Sequence, residues 1–231
     1  MALYAIGDLH LSLGPADKPM DVFGGAWVGY VDKLREGLSV IGPEDTTVLL
    51  GDLSWALDLK GAEADFRWIH EHIPGKKIIL KGNHDYWWST AAKFYKFCAE
   101  FGFTDQWILN NNAYEYGDYA ICGTRGWFFE ESRSSPQDEK VFRRELMRLE
   151  TSLKAAGDKE KLVFLHYPPR YKGYTCDEIL ELLRRYEVRR CFYGHLHGPA
   201  QGLAQEGLWD GTEFRLLAAD RLNFRPFTVI S

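Results

Sequence analysis

The chain has 231 residues, 45% of them hydrophobic and 15% aromatic, which is enough to bury a substantial core in one α/β domain spanning 1–231. No apolar run reaches the roughly 18 residues that span a bilayer. Met1 to Asp8 leads directly into a strand-like run instead of a basic, cleavable leader, so the expectation is a soluble, cytoplasmic protein with no membrane partner. A formal charge of −5 with the histidines neutral argues against stable binding to a long polyanion such as duplex DNA.

In chain order, Ala2 to Ile6, Thr46 to Leu50 and Lys77 to Leu80 are short β-rich runs, each followed by a helical pattern. Trp27, Val31, Leu34, Leu38 and Ile41 are spaced along one helical stripe. Phe66, Ile69 and Ile73 form the second stripe, and Ala91, Phe94, Phe97 and Phe101 the third, with Ser89 as its cap. Three βα units in series imply a largely parallel sheet. The middle changes character: Trp107 to Leu109, Tyr114 to Tyr116 and Tyr119 to Cys122 lie close together, with Asn110-Asn111-Asn112 and Gly117-Asp118 as turns, so hairpins are expected. A helix is predicted to start at Ser135-Pro136, with Phe142, Leu146, Leu149 and Leu153 inward. Strands return at Leu162 to Leu165 and Arg190 to Tyr193, around a helix carrying Ile179, Leu182, Leu183 and Tyr186. Glu213 to Leu217 and Phe227 to Ile230 read as a closing β pair. Two sheets face to face with helices outside accommodate this order.

The four cysteines, Cys98, Cys122, Cys176 and Cys191, are far apart and form no Cys-x-x-Cys pair, so they read as buried free thiols. The histidines are more informative. Five of the seven fall in short motifs at the ends of predicted strands: Gly7-Asp8-Leu9-His10, Gly82-Asn83-His84-Asp85, Leu165-His166 and Gly194-His195-Leu196-His197, joined by Gly51-Asp52. In open α/β sheets ligands bind beyond the carboxyl ends of strands, where all five motifs stand. Asp8 and His10, like His195 and His197, are two apart, a spacing that in extended chain points both side chains one way. Asp52 offers two oxygens with which to bridge a pair of cations, Asn83 a carbonyl oxygen and His166 a ring nitrogen. Such donors without thiolate suit manganese, iron or zinc. His70 and His72, two apart on a helix, cannot share a face and read as ordinary structural residues. Gly14-Pro15 and Gly24-Gly25 lack the lysine and spacing of a phosphate loop and read as turns.

Gly-Asp-x-His, Gly-Asp, Gly-Asn-His-Asp, a strand-end histidine and Gly-His-x-His, in that order from Asp8 to His197, resemble the calcineurin-like metallophosphoesterases. The resemblance implies a four-layer αββα sandwich of two mixed sheets flanked by helices. It implies two divalent metal ions, one held by Asp8, His10, Asp52 and His197, the other by Asp52, Asn83, His166 and His195. It gives His84 the task of protonating the leaving group or steadying the transition state, with Asp85 orienting it. The implied reaction is phosphoester hydrolysis with no covalent enzyme intermediate. A hydroxide shared by two cations about 3.5–4 Å apart attacks phosphorus in line.

One departure from the family pattern stands out. Many relatives carry a polar residue three positions after the bridging aspartate, whereas this chain runs Asp52-Leu53-Ser54-Trp55-Ala56, so Trp55 is expected to shape the substrate pocket. Tyr86-Trp87-Trp88 and Arg125-Gly126-Trp127-Phe128-Phe129 place aromatic groups near the motifs, and Arg125 and Arg170 are candidates for gripping a phosphate oxygen. The expected substrate is a small or nucleotide-like phosphomonoester or phosphodiester. A protein serine/threonine phosphatase is a further reading, opposed by the lack of Gly-Asp-x-x-Asp-Arg-Gly. A nuclease is disfavoured by the acidic balance. A non-catalytic scaffold on the same fold is opposed by the intact motif residues.

Overall fold

A computed structural model describes residues 1–15, 18–127 and 136–231. The predicted cap Ser135 and the aromatic pair Phe128 and Phe129 lie outside the described residues. The chain divides into two compact units, one formed by Met1–Ile108 with Leu217–Ser231, the other by Leu109–Leu216.

The first unit opens with β1 (Leu3–Ile6). Two short 3-10 turns, Met20–Phe23 and Gly25–Trp27, lead into α1 (Tyr30–Leu38). The predicted stripe from Trp27 to Ile41 therefore outruns its helix at both ends. Gly29 precedes the helix with a left-handed φ of 65°, which breaks the periodic run after Trp27. Then come β2 (Thr46–Leu49), α2 (Glu63–His72), β3 (Lys76–Ile79), α3 (Ala91–Phe101) and β4 (Gln106–Ile108). The cap of α3 is Thr90, whose hydroxyl accepts the N–H of Lys93 at 3.3 Å, and not Ser89.

In the second unit, β5 (Tyr114–Tyr116) and β6 (Tyr119–Thr124) form a hairpin, followed by α4 (Pro136–Ala155) and β7 (Glu160–Leu165). A small hairpin of β8 (Arg170–Tyr171) and β9 (Tyr174–Thr175) precedes α5 (Asp177–Arg185) and β10 (Arg190–Tyr193). A 3-10 helix, Gly198–Leu203, leads to β11 (Gly207–Trp209) and β12 (Thr212–Leu216). The chain then returns to the first unit with β13 (Phe227–Ile230).

Both large sheets are mixed. The first runs β13-β1-β2-β3-β4, parallel except for β13 against β1. The second runs β11-β12-β10-β7-β6-β5, with antiparallel pairs only at its two margins. Two expectations fail here. The three central runs are not joined by hairpins throughout, because β4 joins β3 in parallel, Lys77 opposite Gln106, and of the three only β5 and β6 make a hairpin. The last two runs are not a closing pair: β12 lies beside β10, whereas β13 pairs with β1. Partner choice is decided by which unit buries each strand, and short local patterns carry no such information.

The core of the first unit explains its order. Phe66 of α2 meets Trp87, Phe94 and Phe97 edge-on at 4.8, 5.3 and 5.8 Å, holding α2, α3 and the loop after β3 together. Lys77 is fully buried, and its ammonium donates to the Asp105 carboxylate and to the Ile73 carbonyl, so this charge is paired inside the fold. His70 and His72 are structural as expected: His70 Nδ1 lies 2.9 Å from Asp105, and His72 stacks on Trp68 at 4.7 Å. All four cysteines are buried free thiols.

Candidate metal centre

The motif loops of the first unit are laced together by backbone hydrogen bonds. Beyond the end of β1, the N–H of Asp8 donates to Gly51, that of His10 to Asp52 and that of Leu11 to Leu53, each at 2.9 Å. The parallel pairing of β1 and β2 thus continues past the sheet and carries Asp8 and His10 alongside Asp52. The third loop closes on the second through its glycines. A Cβ on Gly82 would lie 2.0 Å from Asp52 Oδ1, and one on Gly51 would lie 2.4 Å from the Gly82 nitrogen. Only a glycine pair permits that approach, which is the physical content of the Gly-Asp and Gly-Asn spacing.

Left-handed backbone occurs at the same residues. Asp8, His10 and Asp52 have φ of 62°, 47° and 51°, and in the second unit His195 has 73°. Left-handed backbone at a residue other than glycine is uncommon and gathers at functional sites. Asp8 and Asp52 are buried to 0% and 1% exposure, and His10 to 2%. Ligand atoms of Asp8 and His10 lie within 4.8 Å of each other, and His10 Nε2 is 3.9 Å from Asp52 Oδ2. Asn83 and His84 are half-buried, and the His84 N–H donates to Asp52 Oδ1 at 2.7 Å.

Several neighbours hold this arrangement. The Tyr30 hydroxyl donates to the His10 carbonyl at 2.9 Å. Burial, with Asp65 and Asp21 adding to it, pushes the Tyr30 phenol up to about 12, so it stays a donor through the physiological range. Asp65 accepts the N–H of Leu13 at 2.7 Å and the hydroxyl of Ser54, bracing the first two loops from behind. Burial raises its carboxyl above the usual range. Asp85, fully buried, accepts N–H groups from Gly82, Asp52 and Leu53 and from the indole of Trp87, at 2.7 to 2.9 Å. Trp55 stacks on His10 at 4.9 Å and tilts against His84 at 4.5 Å, while the Lys18 ammonium sits 3.6 Å from its ring centre.

The second unit assembles its own imidazoles. His166 follows β7 and His195 follows β10; those strands are parallel, and the N–H of Gly194 donates to the His166 carbonyl at 3.1 Å. The rings of His166 and His195 are 5.2 Å apart, with ligand nitrogens within 4.8 Å. His197 stands in extended conformation before the 3-10 helix that starts at Gly198. Arg125 holds His166 by main chain: its carbonyl accepts the N–H groups of His166 and Tyr167 at 3.1 and 2.9 Å. Its guanidinium lies 3.5 Å from buried Glu145 and 5.1 Å from the Trp127 ring centre. Arg170 lies 4.3 Å from the ring centre of Trp209, and burial lowers its pKa.

The first unit therefore carries buried carboxylate oxygens and an imidazole, and the second carries imidazoles, all just beyond the carboxyl ends of parallel strands, with no thiolate among them. Such a donor set suits a divalent cation, and the sequence family agrees. The calcineurin-like phosphoesterase model matches residues 1–199. The chain belongs to the calcineurin-like phosphoesterase family.

Members of this family are metal-dependent phosphoesterases, and the α/β class with two mixed sheets flanked by helices is the fold the motifs implied. Two solved structures are similar. TT1561 from Thermus thermophilus has a TM-score of 0.53 at 12% identity, with 99% of this chain and 97% of that one covered. A protein of unknown function from Aquifex aeolicus has a TM-score of 0.51 at 16% identity, with 98% and 95% covered. At such identities the likeness concerns the fold alone. Among curated proteins, none matches. No helix among the described residues is long and apolar enough to cross a membrane.

The contacts of Trp55, Asp65 and Lys18 around the candidate ligands were not read from sequence. Trp55 is expected from sequence to shape the substrate pocket, but its stacking on His10 has no sequence signal, and the left-handed backbone of Asp8, His10 and Asp52 has none beyond the glycines beside two of them.

Proposed function

We propose that this chain, taken over 1–231 as one metallophosphoesterase domain, is a binuclear-metal-dependent hydrolase of a small or nucleotide-like phosphomonoester or phosphodiester. The observation that carries this reading is the pair of nearly fully buried carboxylates, Asp8 and Asp52, on strained backbone beside an imidazole. Burying two such groups is costly unless a cation compensates them, so the donors fit a divalent metal.

Asp8, His10, Asp52 and His197 would hold one ion, and Asp52, Asn83, His166 and His195 the other; manganese, iron and zinc all suit these donors. Bound there, the ions would bring the pKa of a water from about 15.7 toward roughly 7 and offset charge on the phosphoryl oxygens. The chain's own residues do the rest. Asp52 is fixed from both sides, by the His84 N–H on its carboxylate and by Asp85 on its own N–H. His84 donates a proton to the departing oxygen, a contribution of about 10²–10⁴-fold where general acids have been removed elsewhere. Arg125 and Arg170 are proposed to grip phosphate oxygens.

Para-nitrophenyl phosphate and its bis ester, assayed with manganese-loaded and chelated protein, test this reading. Metal-dependent turnover of either ester supports it, and preference between them separates phosphatase from phosphodiesterase. Bound manganese with no turnover of either would favour a scaffold that has kept its metals.

A further inference from the structure

The His84 ring is held by side-chain contacts separate from those of its backbone. Its main chain is fixed by the hydrogen bond to Asp52, which leaves the side chain to be held by something else. Asp85 lies next in sequence, and its carboxylate is occupied by three backbone N–H groups and the Trp87 indole. Position 55, three residues after Asp52, presents an indole to His84 and no carboxylate.

Tyr86 is placed for the task. Its N–H donates to the His84 carbonyl at 2.8 Å, closing a tight turn that returns the two side chains to one side. Its hydroxyl then lies 3.3 Å from His84 Nδ1, with the two rings edge to face at 6.0 Å. Tyr86 itself is 54% exposed, so burial of its ring does not explain its position. Trp55 also packs on the His84 ring, at 4.5 Å.

We propose that Tyr86 is the positioning residue for His84: the phenol oxygen accepts Nδ1–H, and the imidazole, packed against Trp55, is thereby directed to deliver its proton from Nε2. As the bond from phosphorus to the leaving oxygen breaks, its electron pair stays on that oxygen, which takes the Nε2 proton. The ring is left neutral, with Nδ1–H still on Tyr86. A hydroxyl partner keeps the same tautomer on both sides of that step, which fits donation to the substrate and return of the proton from water. This inference rests on the proposed hydrolase activity.

The test compares Tyr86→Phe with the unaltered protein, both loaded with manganese, on phenyl and para-nitrophenyl esters of whichever class, mono or di, is turned over. Phenolate leaves reluctantly and needs the proton, whereas para-nitrophenolate does not. The expected result is a kcat loss of about tenfold on the phenyl ester and less than about twofold on the para-nitrophenyl ester, with KM and bound manganese unchanged. In a His84→Ala background the same substitution should do nothing more. Equal losses on both esters, a further loss in that background, or a fall in bound manganese would each overturn the assignment. Should the unaltered protein hydrolyse neither ester class, the activity reading fails, and nitrogen-15 NMR of the His84 ring decides the inference alone. A proton on Nδ1 whose signal moves in Tyr86→Phe supports it, and identical spectra refute it.

Discussion

The carboxylate of Asp85 accepts the backbone N–H of Asp52 at 2.8 Å, so the residue after His84 reaches across 33 positions to hold the central carboxylate of the candidate site. It does the same for Leu53 at 2.9 Å and for Gly82 at 2.7 Å, so one buried side chain ties the loop after β2 to the loop after β3. The family resemblance gives Asp85 the task of orienting His84. The contacts Asp85 makes here are with main chain on both sides of the candidate ligands and with the Trp87 indole.

Asp85→Asn should therefore destabilise the protein even without metal. Each carboxylate oxygen accepts two N–H groups, so an amide must turn its NH2 toward two of the four donors, losing charge-assisted hydrogen bonds and leaving both unsatisfied, at a cost of about 2–4 kcal/mol. Urea denaturation of chelated protein measures this; an unchanged midpoint would mean that the clamp carries no stability.

Gly82→Ala tests the close approach of the loops. Its Cβ would fall 2.0 Å from Asp52 Oδ1 and 2.2 Å from the Asp52 nitrogen, so main chain must move. The expectation is a loss of about 1–3 kcal/mol together with weakened manganese binding, read by thermal unfolding and by titration calorimetry. Wild-type affinity in this variant would show that the approach is not needed to place Asp52.

The thiols give a prediction about pH. Burial pushes Cys98 and Cys122 up to about 12 and Cys176 to about 11, and raises Cys191 as well, against an ordinary value of 9.0. Because these groups hold their protons longer in the folded state, their contribution to stability is complete below pH 9.0 and is lost as pH rises through the folded values. Iodoacetamide at pH 8 should label none of the four until denaturant is added, as mass spectrometry can show. Labelling of native protein would place a cysteine at the surface.

Much of the site was legible from sequence because its signals are local. A glycine and a donor directly after an apolar run mark a strand end, and β1, β2, β3, β7 and β10 each end just before a motif. What failed was long-range. The run around Trp107 looks like its neighbours in the chain, yet it extends the first sheet while the next two strands start the second. The run at Phe227 follows β12 closely, yet its partner is β1. Tertiary burial selects between pairings that local pattern leaves equal. The clamp by Asp85 and the contact of Tyr86 with His84 were illegible for a related reason: a side-chain hydrogen bond across a turn depends on φ and ψ, which residue identity does not fix.

The central claim is that these side chains hold two cations for hydrolysis, with Asp52 shared between them and His84 outside them. Metal content by elemental analysis, on protein purified without chelator and re-equilibrated with manganese, tests it most directly when Asp52→Ala and His84→Ala are measured beside the unaltered chain. The expected result is about two ions per chain in the unaltered protein and in His84→Ala, the latter with turnover of the phenyl ester reduced by about 10²–10⁴-fold, and loss of both metal and turnover in Asp52→Ala. Full metal content in Asp52→Ala, or no bound ion in the unaltered protein, would contradict the account.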